Sequence, residues 1–204
     1  MSTLASLSQG MFADNVCYAE LELNQVAFPF TGRIEARMPL KSDTLANDGF
    51  SLADPAQVGM ILKVDKQANE ICRPGTTDEN APGTLYALNY STEVNYDERT
   101  PGLRYFKQAP ATPVPGVYDW RSSLYDDFYP RLGYLELGDR FTTSAVTAAA
   151  APTLGKPATE TYVYVGDDGF WTTTSRDDGP ACIVEEYCTM ADGSYAAKLV
   201  VVRV

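Results

Sequence analysis

Two contiguous acidic pairs, Asp167-Asp168 and Asp177-Asp178, stand ten residues apart. Carboxylates on neighbouring turns are the hard oxygen donors that a cation such as Ca²⁺ takes. The spacing argues otherwise: side chains of adjacent residues diverge, and the Asp-x-Asp-x-Asp-Gly pattern of a Ca²⁺ loop is missing. Each pair is followed by a glycine, Gly169 or Gly179, and Asp-Gly is what a hairpin turn selects. The pairs are therefore expected to make turns, and no metal and no other cofactor is expected. Glu185-Glu186 and Asp126-Asp127 are further paired carboxylates. Glycoside hydrolysis needs two carboxyls facing each other across a cleft at ~5–10 Å, which adjacency in sequence does not supply. On a strand, Glu185 and Glu186 fall on opposite faces, one exposed and the other near an interface or paired with Lys198 or Arg203.

Histidine is absent. That removes the commonest general base, metal ligand and physiological pH switch together. Serines and threonines are plentiful, but they lack a base to activate them, and no Gly-x-Ser-x-Gly elbow, Walker loop or Gly-x-Gly-x-x-Gly is present. A non-enzymatic role is expected; a histidine-free glycoside hydrolase is the remote alternative. Cys17, Cys72, Cys182 and Cys188 match neither zinc pairs nor a dense disulfide framework. They read as buried thiols of a protein made in a reducing compartment. On one continuous strand Cys182 and Cys188 would share a face ~20 Å apart.

The net charge of −11 argues against nucleic acid and against an anionic lipid surface, both of which need a basic face. No apolar run approaches the ~18 residues of a membrane span. The opening Met-Ser-Thr-Leu-Ala-Ser-Leu-Ser has no basic region and no continuous apolar stretch, so no secretory signal is expected.

The elements that must position these residues read as strands. Tyr-Val-Tyr-Val (162–165), Phe-Trp-Thr-Thr-Thr (170–174), Ala-Cys-Ile-Val-Glu-Glu-Tyr-Cys (181–188) and the closing run 195–204 are β-branched and aromatic, separated by Asp-Gly turns. This is the pattern of antiparallel hairpins. Upstream, 16–23, 58–65, 69–73, 84–90, 102–107, 132–137 and 140–146 read as further strands, with 25–30 and 33–40 as weaker apolar runs, a turn at Asn47-Asp48-Gly49 and a loop over 74–83. Pro110, Pro113 and Pro115 make 108–117 a Pro-rich linker. The expected architecture is all-β: two small antiparallel β-sandwich or β-barrel domains, with an extended N-terminal arm. Residues 1–107 would hold the arm and the first domain, and 118–204 the second.

Tyr118 to Tyr134 concentrates aromatics, including Trp120, Tyr125, Phe128 and Tyr129. Such a cluster packs a core, docks on a protein, or stacks on a sugar. The runs Leu-Gly-Asp-Arg-Phe-Thr-Thr (137–143), Tyr-Val-Tyr-Val-Gly-Asp-Asp-Gly-Phe-Trp (162–171), Ile-Val-Glu-Glu-Tyr-Cys-Thr-Met-Ala-Asp-Gly-Ser (183–194) and Lys-Leu-Val-Val-Val-Arg-Val (198–204) resemble the small β domains of tailed-bacteriophage capsid decoration (cement) and minor head proteins. The resemblance covers about residues 130–204. It implies a virion protein made in the host cytoplasm and bound on the capsid surface, its partner the major capsid protein. A homo-oligomer such as a trimer is compatible with it. Leu4, Leu7, Met11 and Phe12 of the arm and Trp120, Tyr125, Phe128 and Tyr129 are the expected docking residues. A head-fibre or tail-associated protein that binds glycans through the same aromatics is the alternative.

Overall fold

The β-branched runs near the C-terminal end form the longest strands, because alternate residues there bury one face and expose the other. In a computed structural model, residues 21–25, 33–42, 48–50, 54–76, 84–91, 94–96, 103–105, 129–147, 153–191 and 193–204 are described. Among them every regular element is a strand. In chain order these are β1 (Leu21–Gln25), β2 (Ile34–Glu35), β3 (Ile61–Asp65), β4 (Glu70–Cys72), β5 (Leu85–Asn89), β6 (Val94–Tyr96), β7 (Leu103–Tyr105), β8 (Leu132–Gly133), β9 (Arg140–Thr143), β10 (Val146–Thr147), β11 (Tyr162–Val165), β12 (Trp171–Thr172), β13 (Ala181–Thr189) and β14 (Tyr195–Arg203). The all-β expectation holds.

Two sheets dominate. The larger has the order β1-β9-β14-β13-β11-β12-β10, the smaller β2-β8-β5-β3-β4, and β6 pairs with β7 in a separate ribbon. All pairings are antiparallel except β10 with β12. Strands from both sides of 108–117 share each sheet: β1 pairs with β9, and β8 pairs with both β2 and β5. Residues 108–117 and the arm lie outside the described residues.

The inner face of the large sheet carries Phe141, Val163, Val165, Cys182, Val184, Leu199 and Val201, which pack with Trp171 and with Ile61 and Leu88 of the smaller sheet. The other face of the smaller sheet presents Leu62, Val64, Ile71 and Ala87 to a second cluster, closed by Met38, Leu40, Phe50 and Met60. The central strands of the smaller sheet are thus buried on both faces, which is why Met60, Ile61 and Leu62 are consecutively inaccessible. Fully burying each such side chain is worth ~1.5–3 kcal/mol.

Strand ends depart from the sequence expectation for local reasons. The run 58–65 yields only Ile61–Asp65, because Gly59 turns with φ +86°. Its carbonyl accepts the Trp171 indole N–H at 3.2 Å, and a Cβ there would lie 2.1 Å from Thr143 Oγ1. The run 132–137 stops after Gly133, since Asp139 Oδ2 accepts Glu136 N and an Arg33 guanidinium N–H, holding 136–139 as a turn. Between β3 and β4, Asp65 Oδ1 accepts the amides of Gln67 and Ala68, and Asn69 takes the left-handed conformation at φ 58°.

Candidate functional site

Of the expected docking residues only Tyr129 is described, and it is 49% exposed. Leu4, Leu7, Met11, Phe12, Trp120, Tyr125 and Phe128 lie outside the described residues, as does Asp126-Asp127.

The acidic pairs behave as turn residues. Gly166 N–H bonds Phe170 O, Gly169 N–H bonds Gly166 O, and Asp168 Oδ1 accepts Phe170 N–H at 2.9 Å, closing the β11–β12 hairpin. Asp178 serves a different purpose: it receives a fork from Arg176, Nε to Oδ1 at 2.6 Å and Nη2 to Oδ2 at 2.9 Å. Tyr86 on β5 donates its hydroxyl to the same carboxylate at 2.6 Å. Arg176 also donates to Gly75 O at 2.8 Å and to Asp167 Oδ1 at 3.2 Å. The guanidinium side chain is 5% exposed and ties three segments of the two sheets together. The Arg176 fork, reinforced by the Tyr86 hydroxyl, holds the Asp178 carboxyl down at about 2 against burial. Burial, then the bond to Asp178, pushes the Tyr86 phenol up. Arg203 completes the clamp, donating to Gly179 O at 2.9 Å and to Arg176 O. Arg73 repeats the device, donating to Gly49 O, Asp168 O and Asp54 O while its guanidinium lies 4.6 Å from the Phe50 ring centroid.

The outer face of the large sheet offers a different chemistry. The registers align Tyr162, Ile183, Val200 and Arg140 in one row across β11, β13, β14 and β9. Tyr162 and Val202 are each 39% exposed, and Ile183, Val200 and Tyr164 are half-buried. Charge fringes this apolar row. Glu185 bonds Arg140 at 3.1 Å and faces Lys198 at 3.8 Å, and Arg203 lies 5.7 Å from the Tyr164 ring centroid. Glu185 pairs with Lys198, but the register sets Glu186 opposite the same Lys198, so a bulge brings both glutamates to the outer side in place of the opposite faces that a regular strand would give them. The two cysteines differ from expectation. The register shifts between Val184 and Glu186, so the alternation flips at Glu185. Cys182 then faces the core while Cys188, opposite Ala196, falls on the other face. The described cysteines are free thiols, and burial raises the Cys72 thiol to about 11 and pushes Cys182 well up.

Sequence reasoning missed both the apolar row and the arginine node. Tyr162, Ile183 and Val200 come from three separate runs, and only the cross-strand register makes them neighbours. For the node, the available signal was Arg176 placed directly before an acidic pair in a chain with 16 basic and 27 acidic residues.

No known family profile matches the chain, and neither the curated proteins nor the solved structures contain a match.

Proposed function

We propose that the chain is a non-enzymatic virion protein that decorates and stabilises an icosahedral phage capsid by docking on neighbouring major capsid proteins. The observation that carries this reading is the outward apolar row Tyr162–Ile183–Val200 with Val202, fringed by Arg140, Glu185, Lys198 and Arg203. An aromatic and aliphatic centre with a charged rim, arginine prominent in it, is the composition of a protein-docking patch. Among the described residues the two arginines most deeply buried, Arg73 and Arg176, are engaged in holding loops together. A protein that binds only the assembled shell stabilises it by its binding free energy, without chemistry of its own.

Co-sedimentation of the purified protein with empty capsids of the source virus tests the reading. Saturable binding at a symmetry-related stoichiometry, lost in Val200→Glu and retained after deletion of residues 1–12, places docking on the sheet face. Loss on the deletion alone moves docking to the arm residues Leu4, Leu7, Met11 and Phe12. A stable protein that ignores the shell sinks the proposal.

A further inference from the structure

The turn that Arg176 anchors forms one wall of a cleft of about 520 Å³. That volume lies within the ~300–1,000 Å³ of small-ligand sites. Hydroxyls of Thr147, Thr172, Thr174 and Ser175 and the carboxylates of Asp167 and Asp168 line it. The lining selects by charge. Arg176 also borders the cleft, but its guanidinium is turned to Asp178, Gly75 O and Asp167, so that with Asp167 and Asp168 in the lining the charge there is negative on balance. Phosphates and other anions are therefore repelled. Among the described residues no group of three or more acidic or thiol side chains has the arrangement of a cation site. Acceptors and several rotatable hydroxyls in one lining are the complement of a polyol, whose O–H groups both donate and accept.

We infer that this cleft binds a saccharide, its vicinal hydroxyls donating to Asp167 and Asp168 and exchanging hydrogen bonds with Thr147, Thr174 and Ser175. The cleft is built from the β10, β11 and β12 region and is not part of the apolar outer row, so the inference stands independently of capsid docking. The site is prearranged: Asp168 is held by its bond from Phe170 N–H, Asp167 by Arg176, and Thr172 Oγ1 accepts Thr174 N–H at 3.3 Å. Little ordering is left for the ligand to impose, which lowers the entropic cost of binding.

The test is a ¹H–¹⁵N titration of the full chain with glucose, galactose, mannose and N-acetylglucosamine in turn, and with inorganic phosphate as the anionic control. The expected result is saturable shifts for at least one sugar, confined to amides of residue 147 and residues 165–176, and none with phosphate. Thr174→Val should weaken that binding about ten-fold, the equivalent of one hydrogen bond. Ser175→Ala, at an exposed position, gives a second and smaller loss. No saturable shift with any of the four sugars overturns the inference, as do shifts that map elsewhere or a phosphate response at the same amides.

Discussion

Replacing Arg176 by methionine keeps much of the side-chain length and removes the charge and all the donors. The loss can be built from the contacts. Gly75 O, reached at 2.8 Å, loses its buried partner, which costs ~1–3 kcal/mol. Asp178 loses both arms of the fork. A carboxyl lowered from 3.8 to about 2 corresponds to a little over 2 kcal/mol at ~1.4 kcal/mol per pH unit. Asp178 retains 27% of its side-chain surface in water, so screening reduces this to roughly 1 kcal/mol. Asp167 is 66% exposed and contributes little. The expected total is about 2–4 kcal/mol near neutral pH, read as a lower urea midpoint with unchanged slope. The pH dependence separates the two parts. Because the folded carboxyl is depressed, its stabilisation is present above the unfolded value of 3.8 and fades as pH falls towards about 2. The gap between wild type and Arg176→Met should therefore narrow by roughly 1 kcal/mol between neutral pH and pH ~2. A gap that stays constant across that range refutes the assignment of the ion pair. A gap below ~0.5 kcal/mol at neutral pH, the usual scale of surface changes, refutes the node altogether.

Gly59→Ala places a methyl 2.1 Å from Thr143 Oγ1 on a backbone at φ +86°. Left-handed strain of ~1–2 kcal/mol and overpacking of ~1–3 kcal/mol should lower Tm by about 5–15 °C in calorimetry. Thr143→Ala in the same chain should recover part of that loss. Trp171→Phe orphans the Gly59 carbonyl and leaves space beside Phe141, whose ring centroid is 5.7 Å away. Chemical denaturation should show a loss of about 2–4 kcal/mol. Cys72 and Cys182, buried with raised thiol values, should resist maleimide in the folded protein and label fully in denaturant, with peptide mass spectrometry as the readout.

The long C-terminal strands were legible because their signal is local. Residues 181–188 and 195–204 are apolar runs rich in β-branched side chains set off by Asp-Gly turns, and β13 and β14 follow within a residue or two. The turn role of Asp167-Asp168 was legible for the same reason. What escaped the sequence is set by distant partners. The apparent strand 132–137 is cut to two residues by Arg33, about a hundred positions upstream, which bonds Asp139 and Tyr134 O. The bulge at Glu185 flips Cys188 away from Cys182, and nothing in the composition of 181–189 marks where the extra residue sits. The parallel β10–β12 pair is equally hidden, since Val146 and Trp171 come from segments separated by a long connection. Asp178 read as a turn residue because its partner Tyr86 is 92 positions away.

The exchange of β1 and β8 between sheets has a kinetic consequence. β1 waits for β9 and β2 for β8, so these two early strands emerge from synthesis with their partners still unmade, while β3, β4 and β5 can already pair with one another. Pairing across such separations must meet the loop-closure entropy before any hydrogen bond repays it, which slows folding. During that delay Ile61 and Leu88, inaccessible in the finished molecule against the large sheet, lack that cover. The unfinished chain is thus the aggregation-prone stage of this protein's life, and the acidity of the sequence, 27 carboxylates against 16 cations over its full length, adds mutual repulsion that opposes association.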